Sequence, residues 1–387
     1  MTAVLRILTA GESHGRALVV TIEGLPAGLE ISADDVQGEL GRRRLGFGRG
    51  PRMRFEQDEV TLLAGILHGR TIGSPVAIVI NNTEWPKWEE AMSPAPGSEG
   101  RRLTQPRPGH ADLAGAQKYG FDEVSKILER ASARETAARV AAGTCAKALL
   151  RVLGAEVLSH VVQLGGVTSK SGRLPTPADR AAVDESPVRC FDAEAEAAMV
   201  AEVEAAMKEG DSLGGAAEIL GYGVPVGLGS HVHWDRKIDG MLCQALASIQ
   251  AVKAVEIGDG IEVSARRGSQ AHDPISWDPQ SAAYRRESDR AGGIEGGITT
   301  GGLIVARAYM KPLATLARPT LGTVDTDTKE QTVSFKERTD ATAVPAMGVV
   351  AETMMAWVLA GEALRKFGGD SVPEVVRNRD AFLASLS

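Results

Sequence analysis

The sequence predicts a mixed α/β fold, with α+β-like layers: one large domain, 1–387, built as a sandwich of β-sheets covered by helices. Three observations predict it. Strand-like and helix-like segments are interspersed along the whole chain. No period of about 20–50 residues repeats, which excludes a solenoid or a propeller. No break in composition marks a linker, so 387 residues that could hold two or three average domains read as one. Hydrophobic residues make up 43% and charged residues 24%, which excludes wholesale disorder.

The elements follow in order. VLRILTA is apolar, GESHGRA is a glycine-bracketed loop, and LVVTIEG is β-branched and apolar again, so the start reads strand, turn, strand. A helix is expected from Ser32 to Arg44, with Ser32 as N-cap and Asp34 and Asp35 in the first turn. GRRRLGFGRGPR ends it and is too glycine-rich for a regular element. EVTLLAGILHG and SPVAIVIN read as strands. Residues 81–110 form a long irregular segment rich in Pro, Gly, Trp and Ser, a length that points to function.

Ser132-Ala-Arg-Glu135 reads as a capping box opening an Ala-rich helix to about Leu153. The polar, Pro-bearing patch from Ser169 to Pro187 reads as surface loop. AEAEAAMVAEVEAAMKEG is a helix ending at Gly210, EILGYGVPVGLGS a strand, and GMLCQALASIQ a helix. Two glycine-rich loops follow, IGDG and AGGIEGGITTGG. The chain closes with strand LIVARAYM, loop KPLAT, and ERTDATAVPAMG leading into an apolar helix to about Phe367.

Several classes are excluded or disfavoured. The mean hydropathy is −0.09, and no uncharged apolar run reaches the roughly 18 residues of a membrane span. Glu12 and His14 arrive before any signal-like stretch forms, and Cys145, Cys190 and Cys243 are odd in number with no CxxC pair. A cytoplasmic protein is the simplest expectation. The formal net charge of −7 argues against a nucleic-acid binder. The 31 arginines nonetheless outnumber the 12 lysines, and residues 1–110 hold twelve arginines and one lysine. A coding bias would raise that total, but it would not set arginines beside glycines and histidines. Arginine suits bidentate capture of carboxylate and phosphate.

Chemistry-bearing residues cluster accordingly. His14 in GESHGR and His110 in RPGHAD sit in glycine-rich loops, each within three residues of an arginine, Arg16 and Arg107. Such a histidine suits general acid–base work. Arg42, Arg43, Arg44, Arg49 and Arg52 form a run able to wrap a phosphate or dicarboxylate; with only Phe47 interleaved, RNA is the weaker reading. Arg130 and Arg134 flank a helix N-terminus, where an anion is favoured. His231 and His233 would share one face of a strand, but no further ligand set supports a metal, so none is expected. GGIEGG is neither GxGxxG nor a P-loop, and its glycines would let backbone approach a cofactor. Lys311 ends a strand, and Arg338 and Asp340 precede a helix. These residues describe an enzyme for a multiply anionic small substrate, with two histidines as acids and bases. A metal-dependent phosphatase and a non-catalytic arginine-rich binder remain as alternatives.

In order along the whole chain, GESHGRALVVTIEGLP, RRRLGFGRG, NTEWPKW, RPGHAD, ERASARETAARVAAG, QAVKAVEIGDG, AGGIEGGI, KPLAT and ERTDATAVPA resemble the chorismate synthase family. The resemblance implies that fold, and an anti-1,4-elimination of phosphate from 5-enolpyruvylshikimate 3-phosphate to give chorismate. This is the last step of the shikimate pathway of aromatic amino acid biosynthesis. It implies reduced FMN (FMNH2) as cofactor and a homotetramer; the charge, hydropathy and motifs above leave no nucleic-acid partner, membrane partner or metal expected. By the same resemblance His14 protonates the leaving phosphate and His110 protonates the reduced flavin. Asp340 assists flavin N5 as it takes the C6 hydrogen. Ser13, Arg43, Arg49, Arg107 and Arg134 bind substrate. Positions matching Arg43 and Arg49 are also assigned to NADP. Those matching Arg130, Ala131, Ser132, Gln250, Ala251, Gly296, Lys311, Pro312, Leu313, Ala314, Thr315 and Arg338 bind FMN. The chain has Arg338-Thr339-Asp340 where the family usually has Arg-Ser-Asp or Arg-His-Asp, and threonine keeps the hydroxyl of serine. With no added reductase segment expected, an external flavin reductant is favoured over NADPH reduction by the protein itself.

Overall fold

The protein is described here from a computed structural model that covers residues 5–49, 58–97, 100, 102–280, 283–335 and 339–386. Strand β1 (Arg6–Ala10) and β2 (Ala17–Glu23) pair through the GESHG turn. Gly11 in that turn has φ of +102°, and a Cβ there would lie 2.3 Å from the Ala17 carbonyl oxygen, so only glycine fits. β3 (Glu59–Ala64) and β4 (Val76–Asn81) complete an antiparallel sheet of order β1-β2-β4-β3. Alternation along β2 and β4 buries Leu18, Val20, Ile22, Val76, Ile78 and Ile80 on one face. A second antiparallel sheet has order β8-β9-β7-β5-β6, from β5 (Glu156–Leu164), β6 (Val167–Thr168), β7 (Gly215–Tyr222), β8 (Val252–Ile257) and β9 (Ile304–Met310).

The expected α/β class and its layering are observed, but the helices lie between the sheets. α4 (Thr136–Val152) packs on β2 of the first sheet and α8 (Val344–Phe367) on β5 and β7 of the second, and the two helices pack on each other. Their sequences are apolar nearly all round, which requires burial on every side. Gly143 of α4 permits the contact: a Cβ there would sit 2.1 Å from Thr353 Cβ. α8 is long and apolar enough to cross a membrane, yet here it lies inside the core. α1 (Ala33–Arg44) opens on a capping box between Ser32 and Asp35, as expected, and joins the same layer.

One polar cluster interrupts that layer. Glu352 of α8 accepts from Arg42 at 2.7 Å, Lys147 at 2.6 Å, Arg189 at 3.1 Å and Ser159 at 2.8 Å. Burial would push its carboxyl up, but Arg42, Lys147 and Arg189 hold it well below the usual carboxylate range. The cluster fixes the last turn of α1, where the next residue, Arg43, turns the other way.

Four expectations change. Ser132–Glu135 forms no capping box; it is a 3-10 turn over Ala133–Glu135, capped by Ser132 from Arg134 N, and the Glu135 carboxylate is taken by Arg139 and Gln250. The Ser169–Pro187 patch contains α5 (Arg180–Glu185), whose Asp184 accepts from Arg42 at 2.7 Å. His231 and His233 lie in an exposed turn, not a strand, because β7 stops at Tyr222 before Gly223 (φ +66°) and Pro225. The AGGIEGGITTGG glycines fold into a short hairpin, Ile294–Glu295 against Ile298–Thr299, and pack against other backbone: a Cβ on Gly293 would lie 2.4 Å from the Leu303 carbonyl. Among the described elements that had no clear signal are α2 (Asp112–Tyr119), α3 (Ser125–Ala131), β5, β6, β8 and α9 (Val372–Ala384). α6 (Ala193–Glu209) and α7 (Ile238–Ala247) match their expected ranges closely.

Candidate active site

A cleft of about 940 Å³ opens where the β1–β2 turn, the 81–110 segment and the N-terminal ends of α4 and α8 meet. Its wall carries Ser13, His14, Arg43, Arg49, Arg107, His110, Ala131, Ser132, Arg134, Gln250, Ala251, Lys311, Leu313, Ala314, Thr315 and Asp340. Residues expected from seven separate stretches therefore converge. Arg130 and Pro312 do not line it, nor does Gly296, which occupies the hairpin turn instead. Arg130 donates to the carbonyls of Thr9 (2.8 Å) and Gly11 (3.1 Å), bracing the β1–β2 turn from outside. Arg338 and Arg52 lie outside the described residues.

Each histidine is held by a carboxylate. His14 Nδ1 lies 2.7 Å from Glu129 Oε1, and the His14 backbone N–H donates to Glu129 Oε2 at 2.8 Å. The Trp88 ring covers the imidazole at 4.1 Å. Ser13 donates its N–H to the Glu129 carbonyl and its hydroxyl to Ser132 Oγ. Asn82, buried, donates to the Gly15 carbonyl at 2.6 Å and accepts from Arg134 Nε at 3.0 Å, tying the histidine loop to the arginine.

His110 Nδ1 makes a short contact with Asp112, which has no exposed surface. Asp112 also accepts from the Arg107 backbone N–H at 3.0 Å, its Nε at 2.8 Å and its Nη2 at 3.0 Å. Burial alone would raise the Asp112 carboxyl, but the hydrogen bonds from His110 and Arg107 and their charges hold it well below the usual carboxylate range. Arg107 Nη1 reaches Thr315 Oγ1 at 3.0 Å, and Lys311 donates to the Gly109 carbonyl, so the KPLAT loop is fastened to the RPGHAD loop.

The other arginines are also anchored at one edge. Arg43 Nε donates to Thr136 Oγ1 at 2.9 Å and its Nη2 to the Ala133 carbonyl at 2.9 Å. Arg134 is paired with buried Asp58, and Arg49 Nε lies 2.8 Å from Asp340 Oδ2. Thr339 donates its hydroxyl to the Asp340 carbonyl at 3.1 Å. Cationic side chains held this way lose little freedom when an anion arrives.

The wall also fits a planar cofactor. Leu128, Ile249, Ala251, Met310, Leu313 and Met347 make an apolar side. Among the described residues Gln250 Oε1 has no hydrogen-bond partner and is buried in the wall, an acceptor placed for a ligand N–H. Ala251 holds a left-handed φ of +66°, the kind of backbone strain that gathers at functional sites. Among the described residues no group of three His, Cys, Asp or Glu is placed to hold a metal.

Glu129, Asp112, Trp88, Asn82 and Asp58 were not singled out from the sequence. Asp112 had a signal, two residues after His110 in one loop. Glu129 had none, being 115 positions from His14.

Two histidine–carboxylate pairs facing a cleft with four arginines define an acid–base enzyme shaped for anionic ligands. The profile of the family described as chorismate synthase matches residues 5–364. The chorismate synthase of Salinispora tropica is 58% identical over 392 residues, spanning 99% of this chain and 99% of its own. That of Streptomyces coelicolor is 57% identical over 99% and 98% of the two chains. A crystal structure of a chorismate synthase, 37% identical, matches with a TM-score of 0.79 over 99% of this chain and 98% of its own. The chain belongs to the chorismate synthase family and is a lyase of that family.

Proposed function

We propose that the protein eliminates phosphate from 5-enolpyruvylshikimate 3-phosphate to give chorismate, with reduced FMN bound in the 940 Å³ cleft. One observation carries the reading: His14, His110 and Asp340 share that cleft with Arg43, Arg49, Arg107 and Arg134, in a chain of this family. Reduced flavin supplies electron density to the substrate and recovers it. The apolar wall, Gln250 and Lys311 would hold the flavin. The arginines hold the phosphate and carboxylates, and neutralise charge as the phosphate departs. His14 gives a proton to the leaving phosphate. His110, with Asp112 behind it, holds a proton towards the flavin. Asp340, oriented by Arg49, would assist the flavin in removing the C6 hydrogen.

An anaerobic assay with chemically reduced FMN and the enolpyruvyl substrate tests this. Release of phosphate with chorismate is expected, and no product at saturating reduced flavin overturns it. His14→Ala and His110→Ala should each lower turnover more than flavin affinity. An external reductant supplies the reduced flavin; turnover with NADPH and FMN in air, without another reductase, would contradict that. The whole chain acts as one domain in a cytoplasmic homotetramer. The outward face of the first sheet, where Leu8 and Leu63 are exposed, supports assembly, and light scattering measures it.

A further inference from the structure

We propose that Glu129 is a positioning residue that fixes the His14 ring with its proton on Nδ1, leaving Nε2 as the nitrogen that meets the ligand. This rests on the reading of His14 as the acid of the site.

Glu129 lies on α3 beside Arg130, which braces the same turn from outside through the Thr9 and Gly11 carbonyls, so this helix end is already fastened to the histidine loop. Its two oxygens accept from two N–H groups of one residue, the His14 backbone at 2.8 Å and Nδ1 at 2.7 Å. A carboxylate offers acceptors only, so the facing ring nitrogen must carry hydrogen. Both side chains are largely enclosed, 11% and 13% exposed, so water competes weakly for either contact. Trp88 covers one ring face and limits rotation about the Cβ–Cγ bond. The second histidine repeats the device with Asp112 on Nδ1. Lys87 and Glu84 from the neighbouring 3-10 turn, and Arg134 beyond Ser132, are the other charged groups on this part of the wall.

The proton balance follows. As the acid, the ring starts with hydrogen on both nitrogens. It transfers the Nε2 hydrogen to a phosphate oxygen as the carbon–oxygen bond breaks. It is left neutral with the Nδ1 hydrogen in place, already hydrogen-bonded to Glu129. The next proton enters Nε2 from solvent in the cleft. No ring flip or tautomer exchange is required in the cycle.

Glu129→Gln removes one acceptor. The backbone N–H keeps the remaining oxygen, and the amide NH2 then faces Nδ1, which must become an acceptor. The test uses the full-length protein with ¹⁵N-labelled histidine, the His14 signal being assigned by its loss in His14→Ala. The neutral wild-type ring is expected to carry hydrogen on Nδ1, and the Glu129→Gln ring on Nε2. Turnover should fall roughly 10- to 100-fold with KM changed less than about twofold, a part of what a general acid contributes. Glu129→Asp, which keeps both acceptors, should retain the wild-type tautomer. Hydrogen on Nε2 in the wild-type protein overturns the proposal even if the glutamine variant fails to fold. So does an unchanged tautomer in that variant, or a changed tautomer with wild-type turnover. A fully active His14→Ala would instead overturn the acid role, whatever the ring nitrogens show.

Discussion

Asp112 and Glu129 do the same geometric task in different company. Asp112 is fully enclosed and accepts from Arg107 three times as well as from His110. Glu129 is partly enclosed and serves His14 alone through its side chain, with an aromatic ring rather than a cation beside the imidazole. The first pair is locked into a charged network, so His110 and Arg107 share one carboxylate and move together. The second depends on one acidic side chain and one ring contact. The comparison teaches that equal distances do not mean equal tolerance: the first site resists perturbation until its shared ion is removed, and the second yields in steps.

The largest effect should come from Asp112→Asn. It removes the buried carboxylate that Arg107 and His110 share, and so loosens both at once. Breaking such a pair costs about 3–5 kcal/mol of stability, and turnover should fall about 10³-fold or more, within the range of a lost acid–base group with its orienter. Denaturant unfolding and steady-state assay check it; a loss no greater than that of Glu129→Gln would erase the contrast. Glu129→Gln comes next, with its 10- to 100-fold loss and little change in unfolding midpoint.

A pH series sharpens the same contrast. The Asp112 carboxyl is depressed in the folded protein, so its contribution to stability is fully present above the ordinary carboxylate value of about 3.9. That contribution declines as the pH falls through the lower folded value, because the unfolded chain then binds the proton more readily. The stability gap between wild type and Asp112→Asn should be constant above about pH 5 and shrink below about pH 4. A gap that widened on acidification would reverse the assignment. Smallest is Trp88→Leu, which removes the ring over His14 but leaves both Glu129 hydrogen bonds. A loss of about threefold in turnover is expected, matching an aromatic contact worth roughly 0.5–1.5 kcal/mol. A loss beyond that of Glu129→Gln would make Trp88, not Glu129, the principal holder of the ring.

Legibility in the sequence follows the range of each interaction. α1 was readable because Ser32 and Asp35 act within one turn, and α6 because Asp192 and Gly210 bracket it. β5 was not, since burial on both faces removes the alternation that marks a strand, and its Ser159 and His160 look polar out of context. The layer order was hidden for a related reason: α4 reads as merely Ala-rich until Gly143 meets Thr353 across the interior. The site residues His14, His110 and Asp340 stood out by loop chemistry and by family motif. Their carboxylate partners divide by distance. Asp112 shares a loop with its histidine, while Glu129 and Asn82 reach His14's loop from other elements.

The placement of α8 bears on how the chain is made. This helix fills the space between the two sheets, yet it begins at Val344, after every strand of both. During synthesis all nine strands leave the ribosome before the element that separates and seals them. Until residue 367 has emerged, the inward face of the second sheet has no helix α8 to rest on, and Arg42, Lys147 and Arg189 wait without Glu352. The second sheet is therefore uncovered on that face until late in translation, and completion of α8 closes the core around it.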